Sequence, residues 1–120
     1  ALTVAMGLTR EQYVTLLPKS VTTAISMDVA AELGGIAALT GAIVILTGIA
    51  GNLLAETVCK VFHITDPIAK GVGIGTSAHA VGTSKALQMG EVEGAMSGLS
   101  IAVAGVLTAV LCPVFVNFIN

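Results

Sequence analysis

Four long apolar stretches divide the chain, and they are of two kinds. Residues 35–62 are apolar until Asn52, and residues 93–118 are nearly free of charge until their end. Residues 11–32 and 64–89 are of similar length but carry polar side chains, a lysine and helix-breaking residues near their middles. Each stretch reaches the ~20 residues that cross a ~30 Å hydrocarbon layer as a helix. A continuous lipid-facing helix does not tolerate such polar middles, because irregular backbone survives in a membrane only where protein or a wet cavity surrounds it. The pattern therefore predicts an all-α membrane protein with about four membrane-crossing segments, two of them discontinuous. They form a single transmembrane domain over residues 1–120.

Composition points the same way. Hydrophobic residues make up 55% of the chain and charged residues 10%, whereas a soluble domain uses about 25% charged residues. A soluble domain this small has too much surface to hide so much apolar area. Lipid is the simplest solvent for it. The 14 glycines suit membrane helices, which associate by close packing of small residues. Tryptophan is absent and Tyr13 is the single tyrosine, so the usual interfacial aromatic belt is thin. A net charge of −2 disfavours nucleic acid as a partner. Cys59 and Cys112 have no companions at metal-ligand spacing and read as small apolar residues. No metal, cofactor or enzymatic constellation emerges.

The charges suggest an orientation. Arg10, Lys60 and Lys70 flank alternate ends of the stretches from Glu32, Glu91 and Glu93. With four crossings all three cations share one face, which the positive-inside rule makes cytoplasmic. Asp28, Glu32, Glu91 and Glu93 read as helix-end charges, with an acidic mouth as the alternative. Val21, Thr23, Glu32 and Gly35 align with Val81, Thr83, Glu91 and Gly94 once one residue is dropped. Either the chain repeats a broken-helix plus spanning-helix pair, or small-residue segments align by chance. Paired broken helices in transporters meet at the midplane around a substrate.

Candidate chemistry sits in the two interrupted stretches. Pro18 removes a backbone donor and breaks the first. Lys19 beside it costs about 2.5–3.5 kcal/mol near mid-membrane, so it faces a cavity or counter-charge, unless it snorkels to the interface. Ser20, Thr22 and Thr23 would hydrogen-bond a ligand or the freed backbone. In the second stretch Gly71, Gly73 and Gly75 weaken the helix and permit close approach. Thr76, His79 and Thr83 are spaced by three and four, which places them on one helical face. With Ser77 and Lys85 they suggest a polar pocket for a small anion, His79 being able to carry a proton. The alternative is hydrogen bonding between helices. Residues 71–75 lack the spacing of a phosphate-binding glycine loop.

The run LLPKSVTT at 16–23, the E-x-G-G turn at 32–35 and ITDPIAKGVGIGTSAHAVGTSKALQMGEVEGAMSGL at 64–99 together resemble the LrgB/CidB family over essentially the whole chain. Ala24 departs from the proline that many members carry there. The resemblance implies that this is the C-terminal half of a longer protein, in keeping with the apolar residues 1–8, which read as the tail of an earlier helix. It implies a multi-pass protein of the plasma membrane. Bacterial members are described as antiholin-like regulators of murein hydrolase export and cell lysis, beside a holin-like partner such as LrgA or CidA. A plant chloroplast relative exports glycolate and glycerate, bacterial relatives have been linked to pyruvate-like carboxylates, and a distant relation to bile-acid-type symporters is implied. The expectation is thus a carrier of small monocarboxylates, with lysis regulation as the alternative. In the carrier reading Lys19 and Lys85 offset the substrate charge. Ser20, Thr22, Thr23, Thr76, Ser77 and Thr83 bind its oxygens, and His79 handles a coupled proton. Pairing with a second copy is one way for a half-length chain to bury its polar spans.

Overall fold

A computed structural model describes residues 7–117, so the reading of residues 1–8 as the end of an earlier helix falls largely outside it. Five helices and no strand occur among the described residues: α1 (Arg10–Leu16), α2 (Thr23–Glu32), α3 (Ala37–Val61), α4 (Pro67–Met89) and α5 (Glu91–Asn117).

Local chemistry explains most boundaries. Thr9 opens α1 with a reciprocal cap: its hydroxyl accepts from the Gln12 N–H at 3.3 Å and the Gln12 amide oxygen accepts from the Thr9 N–H at 3.0 Å. Pro18 cannot continue that helix because it has no N–H to donate. The chain then crosses residues 17–22 before α2 begins. Buried Ser26 donates to the Pro18 carbonyl at 2.6 Å and holds the break shut. Ser26→Ala is expected to lower stability by about 1–2 kcal/mol, the range for a lost buried hydrogen bond. Equilibrium unfolding in mixed micelles reads this, and an unchanged midpoint would remove Ser26 from that role. Gly34, at φ +82°, ends α2 in the left-handed geometry that glycine adopts freely. The Gly35 N–H then donates to the Ala30 carbonyl at 2.7 Å. Asp66 caps α4 by accepting from the Ala69 N–H at 2.8 Å, and Pro67 occupies the first helical position.

Two helices, α3 and α5, are long and apolar enough to cross a membrane. At about 1.5 Å per residue, their 25 and 27 residues exceed the hydrocarbon thickness. Their apolar surface is largely uncovered, with Leu46, Leu53, Val106 and Val110 all more than half exposed. In water such a surface would be a liability, and in lipid it is the solvent-compatible face.

The helices pack around α4, which lies along α5 and against α3. Glycines set the closeness of these contacts. A Cβ on Gly71 would meet the Glu93 backbone and the Met96 side chain, and one on Gly75 would meet the backbone of Ser97. Between α3 and α4, Gly51 faces Ala78, and a Cβ on Gly48 would lie 2.7 Å from the His79 ring. The first interrupted stretch is fastened to the start of α3 by Thr15. Its hydroxyl accepts from the Ile36 N–H at 2.9 Å, and its carbonyl accepts from the Thr40 hydroxyl at 2.8 Å.

The two expected continuous stretches are thus found as helices of nearly the expected extent. The two interrupted stretches differ from each other. The first breaks at Pro18 as expected. The second remains helical through its glycine run, and its backbone leaves helical geometry at His79 instead (φ 42°, ψ −138°).

Candidate functional site

The residues singled out in the sequence fall into two groups. At the first break, Lys19 is exposed and donates to the Ser20 hydroxyl at 3.0 Å. Thr22 precedes α2 without capping it, and Thr23 is the first residue of that helix. The second group surrounds His79, whose side chain is buried between α3 and α4. Its Nε2 lies 2.9 Å from the Val44 carbonyl. A carbonyl can only accept, so Nε2 is the donor in this contact, and Nδ1 is the lone-pair nitrogen of the neutral ring. Thr23, just past the first break, lies beside Gly41, and His79 lies beside Val44 and Gly48, so both breaks pack against the same half of α3.

Beyond the break, Thr83 donates to the His79 carbonyl at 3.0 Å and lies 2.7 Å from the Ser97 hydroxyl. With the one Thr83 proton used on the carbonyl, Ser97 donates to Thr83. Asn52 of α3 donates to the Val81 carbonyl at 2.8 Å and to the Ser84 hydroxyl at 3.0 Å. One turn further along α3, Glu56 accepts an ion pair from Lys85 at 2.7 Å and a longer one from Lys60 at 3.7 Å. Together these contacts make a polar seam that ties α3 and α5 to the half of α4 following His79. Among the described residues, no buried side-chain nitrogen or oxygen lacks a partner.

Two expectations about single residues change. Thr76, His79 and Thr83 do not share a face, because the backbone turns at His79. Thr76 is exposed and donates to the Val72 carbonyl of its own helix at 2.7 Å, while His79 is buried. Ser77 likewise donates to the Gly73 carbonyl at 2.6 Å. Lys85 is not a free cation, since Glu56 neutralises it. Glu91 and Glu93 stand in the first turn of α5, where acidic residues favourably meet the helix dipole.

Asn52, Glu56, Ser26 and Ser97 escaped sequence reasoning. For Asn52 and Glu56 a signal was present: two polar residues four apart in an otherwise apolar stretch share one helical face and ask for a polar neighbour. The Glu56–Lys85 pair is testable. Glu56→Gln and Lys85→Met are each expected to destabilise the protein, and the double variant is expected to lose less than the sum, as measured by a double-mutant cycle in micelles. Strict additivity would mean that the two charges do not interact.

The helix lengths, exposed apolar faces and half-buried polar seam are those of an α-helical membrane protein, with its helices broken at Pro18 and His79. The particular family follows from comparison with known proteins. Residues 1–118 match the profile of the LrgB-like family. Proteins named antiholin-like protein LrgB from Bacillus mycoides (strain KBAB4), Bacillus cereus (strain B4264) and Bacillus anthracis (strain CDC 684 / NRRL 3495) are each 39% identical over 116 residues. The aligned region is 97% of this chain and 50% of each relative. The chain belongs to the LrgB family, and it spans about half the length of the relatives it matches. No solved structure matches it significantly.

Proposed function

We propose that this chain is part of an antiholin-like regulator, which acts with a holin-like membrane partner to restrain murein hydrolase release and cell lysis. The observation that carries this reading is the 39% identity, over nearly the whole chain, to proteins named antiholin-like LrgB. The fold is compatible with it. The exposed apolar faces of α3 and α5 suit lateral contact with other membrane helices, and the satisfied polar seam gives the bundle rigidity without requiring a substrate. In this reading the protein crosses the plasma membrane about four times. The first two crossings are the α1–α2 stretch and α3, and the other two are α4 and α5. Arg10, Lys60 and Lys70 lie on the cytoplasmic side. An interruption, a short helix, a tight turn and a long apolar helix follow one another twice, which supports a repeat. The test is co-expression with a holin-like protein of the LrgA or CidA type. Delayed lysis and co-purification are expected. Unchanged lysis with no co-purification would overturn the reading.

One observation favours a second reading, transport of small monocarboxylates. Two helix breaks pack against the same half of α3, Thr23 beside Gly41 and His79 beside Val44 and Gly48, and membranes tolerate such breaks where they line a cavity. Lys19, Ser20, Thr22 and Thr23 are then the anion-binding residues, and Nδ1 of His79 is the proton acceptor. Thr76, Ser77, Thr83 and Lys85 support the site from partners they already hold. In proteoliposomes carrying the full-length protein, saturable uptake of glycolate, pyruvate or lactate is expected, falling at least about tenfold in Lys19→Ala, as for loss of a charge-assisted contact. Folded protein without uptake, or uptake that Lys19→Ala leaves intact, would exclude this assignment.

A further inference from the structure

The connection between α3 and α4 frames a cleft away from the helix breaks, which meets the polar seam only at Glu56 and Lys60. Its outer part is a recess of about 310 Å³ walled by Glu56, Lys60, His63 and Lys70. Its inner part is a groove of about 310 Å³ running between Leu54 and Val58 on α3 and Gly73 and Ile74 on α4. The two parts share Cys59, Ile64 and Lys70, so they form one continuous cleft, polar at its mouth and apolar along its length.

The mouth is cationic. Its carboxylate, Glu56, is engaged by Lys85 at 2.7 Å, while the Lys60 side chain is 80% exposed and lies 3.7 Å from Glu56. Asp66, in the same connection, accepts from the Ala69 N–H and keeps its negative charge. Three cations, Lys60, Lys70 and Lys85, stand against two carboxylates, Glu56 and Asp66, so a net positive charge is left where α3 ends and α4 begins. At the end of a membrane-crossing helix this is the level of lipid headgroups, and basic pockets between such helices hold anionic headgroups. A small soluble anion would use only the recess. The adjoining groove is lined by side chains that an acyl chain satisfies and a hydrated ion does not.

We infer that this cleft binds one anionic phospholipid, its phosphate at Lys60 and Lys70 and an acyl chain along the groove between α3 and α4. Native mass spectrometry of the purified protein in detergent, given equal phosphatidylglycerol and phosphatidylcholine, tests this. Retention of phosphatidylglycerol roughly tenfold over phosphatidylcholine is expected, given the attraction of two lysines for an anionic headgroup. The preference should vanish in Lys60→Met/Lys70→Met and persist in Lys60→Arg/Lys70→Arg. It should also persist in Arg10→Met, which removes the same kind of charge outside the cleft. Excess glycerol phosphate should not displace the lipid. Equal retention of the two lipids, or an equal loss in Arg10→Met, would overturn the inference. Displacement by glycerol phosphate alone would reassign the recess to soluble anions and equally overturn it. The comparison of the two lipids on the unmodified protein needs no variant, so a folding defect in the methionine variant still leaves the inference open to refutation.

Discussion

Gly75→Leu is expected to prevent α4 from seating on α5 and to leave little folded protein. A Cβ at Gly75 would collide with the Ser97 carbonyl oxygen and lie 2.9 Å from the Ser97 Cα. The obstacle is backbone, which cannot swing aside as a flexible side chain would. Small-to-large substitutions in packed interiors cost about 1–3 kcal/mol and more where nothing can relax, so this site belongs at or above about 3 kcal/mol. Gly71, one turn earlier, meets the Glu93 backbone in the same way. The two glycines thus form a small-xxx-small contact of the kind that brings membrane helices into close approach. Gly73 provides the control, because a Cβ there has nothing within 4 Å. Gly73→Ala should be neutral or slightly stabilising, since alanine is the better helix former. The measurement is the fraction of each variant that elutes as a monodisperse species, followed by unfolding in mixed micelles. If Gly75→Leu and Gly73→Ala unfold alike, the contact between α4 and α5 is not as described.

These glycines also mark the limit of what the sequence discloses. Gly71, Gly73 and Gly75 read alike as a run that loosens the helix. In three dimensions residues four apart share a face and the one between them does not, so 71 and 75 take the α5 contact while 73 faces the groove toward α3. The helix is held through this run by its neighbours, which override the low intrinsic propensity of glycine. The break at Pro18 was legible because a missing N–H is a local property. The apolar stretches at 35–62 and 93–118 were legible because hydrophobic length is local too, and they emerge as helices 37–61 and 91–117. The partner of Lys85 was only half legible. Glu56 stands in a stretch whose apolar character dominates the reading, and 29 positions of chain separate the two. Nothing local marks His79 as a break, since histidine is an ordinary helix residue and its geometry is imposed by contacts with α3.

That imposed geometry yields the most diagnostic prediction, a reversal of the usual order between alanine and glycine. His79→Ala removes the hydrogen bond to the Val44 carbonyl, a net loss of about 0.5–1.5 kcal/mol. It also opens a space beside Gly48 where the ring was packed. The alanine keeps a Cβ at φ 42°, ψ −138°, a region that L-residues occupy only under strain of about 1–3 kcal/mol. His79→Gly suffers the same losses of bond and packing but is released from the strain. In an ordinary helix glycine is about 1 kcal/mol worse than alanine. At position 79 the glycine variant should instead be the more stable of the two by about 1 kcal/mol or more, both remaining below the parent. Equilibrium unfolding of the three proteins in mixed micelles decides the order. Alanine above glycine would mean that residue 79 sits in continuous helix. The second stretch would then be a plain kink-free span, and the packing of two breaks against one half of α3, on which the transport reading rests, would be lost with it. Glycine above alanine would establish that α4 is held in strained, non-helical geometry at this one residue, where His79 packs against Val44 and Gly48 of α3.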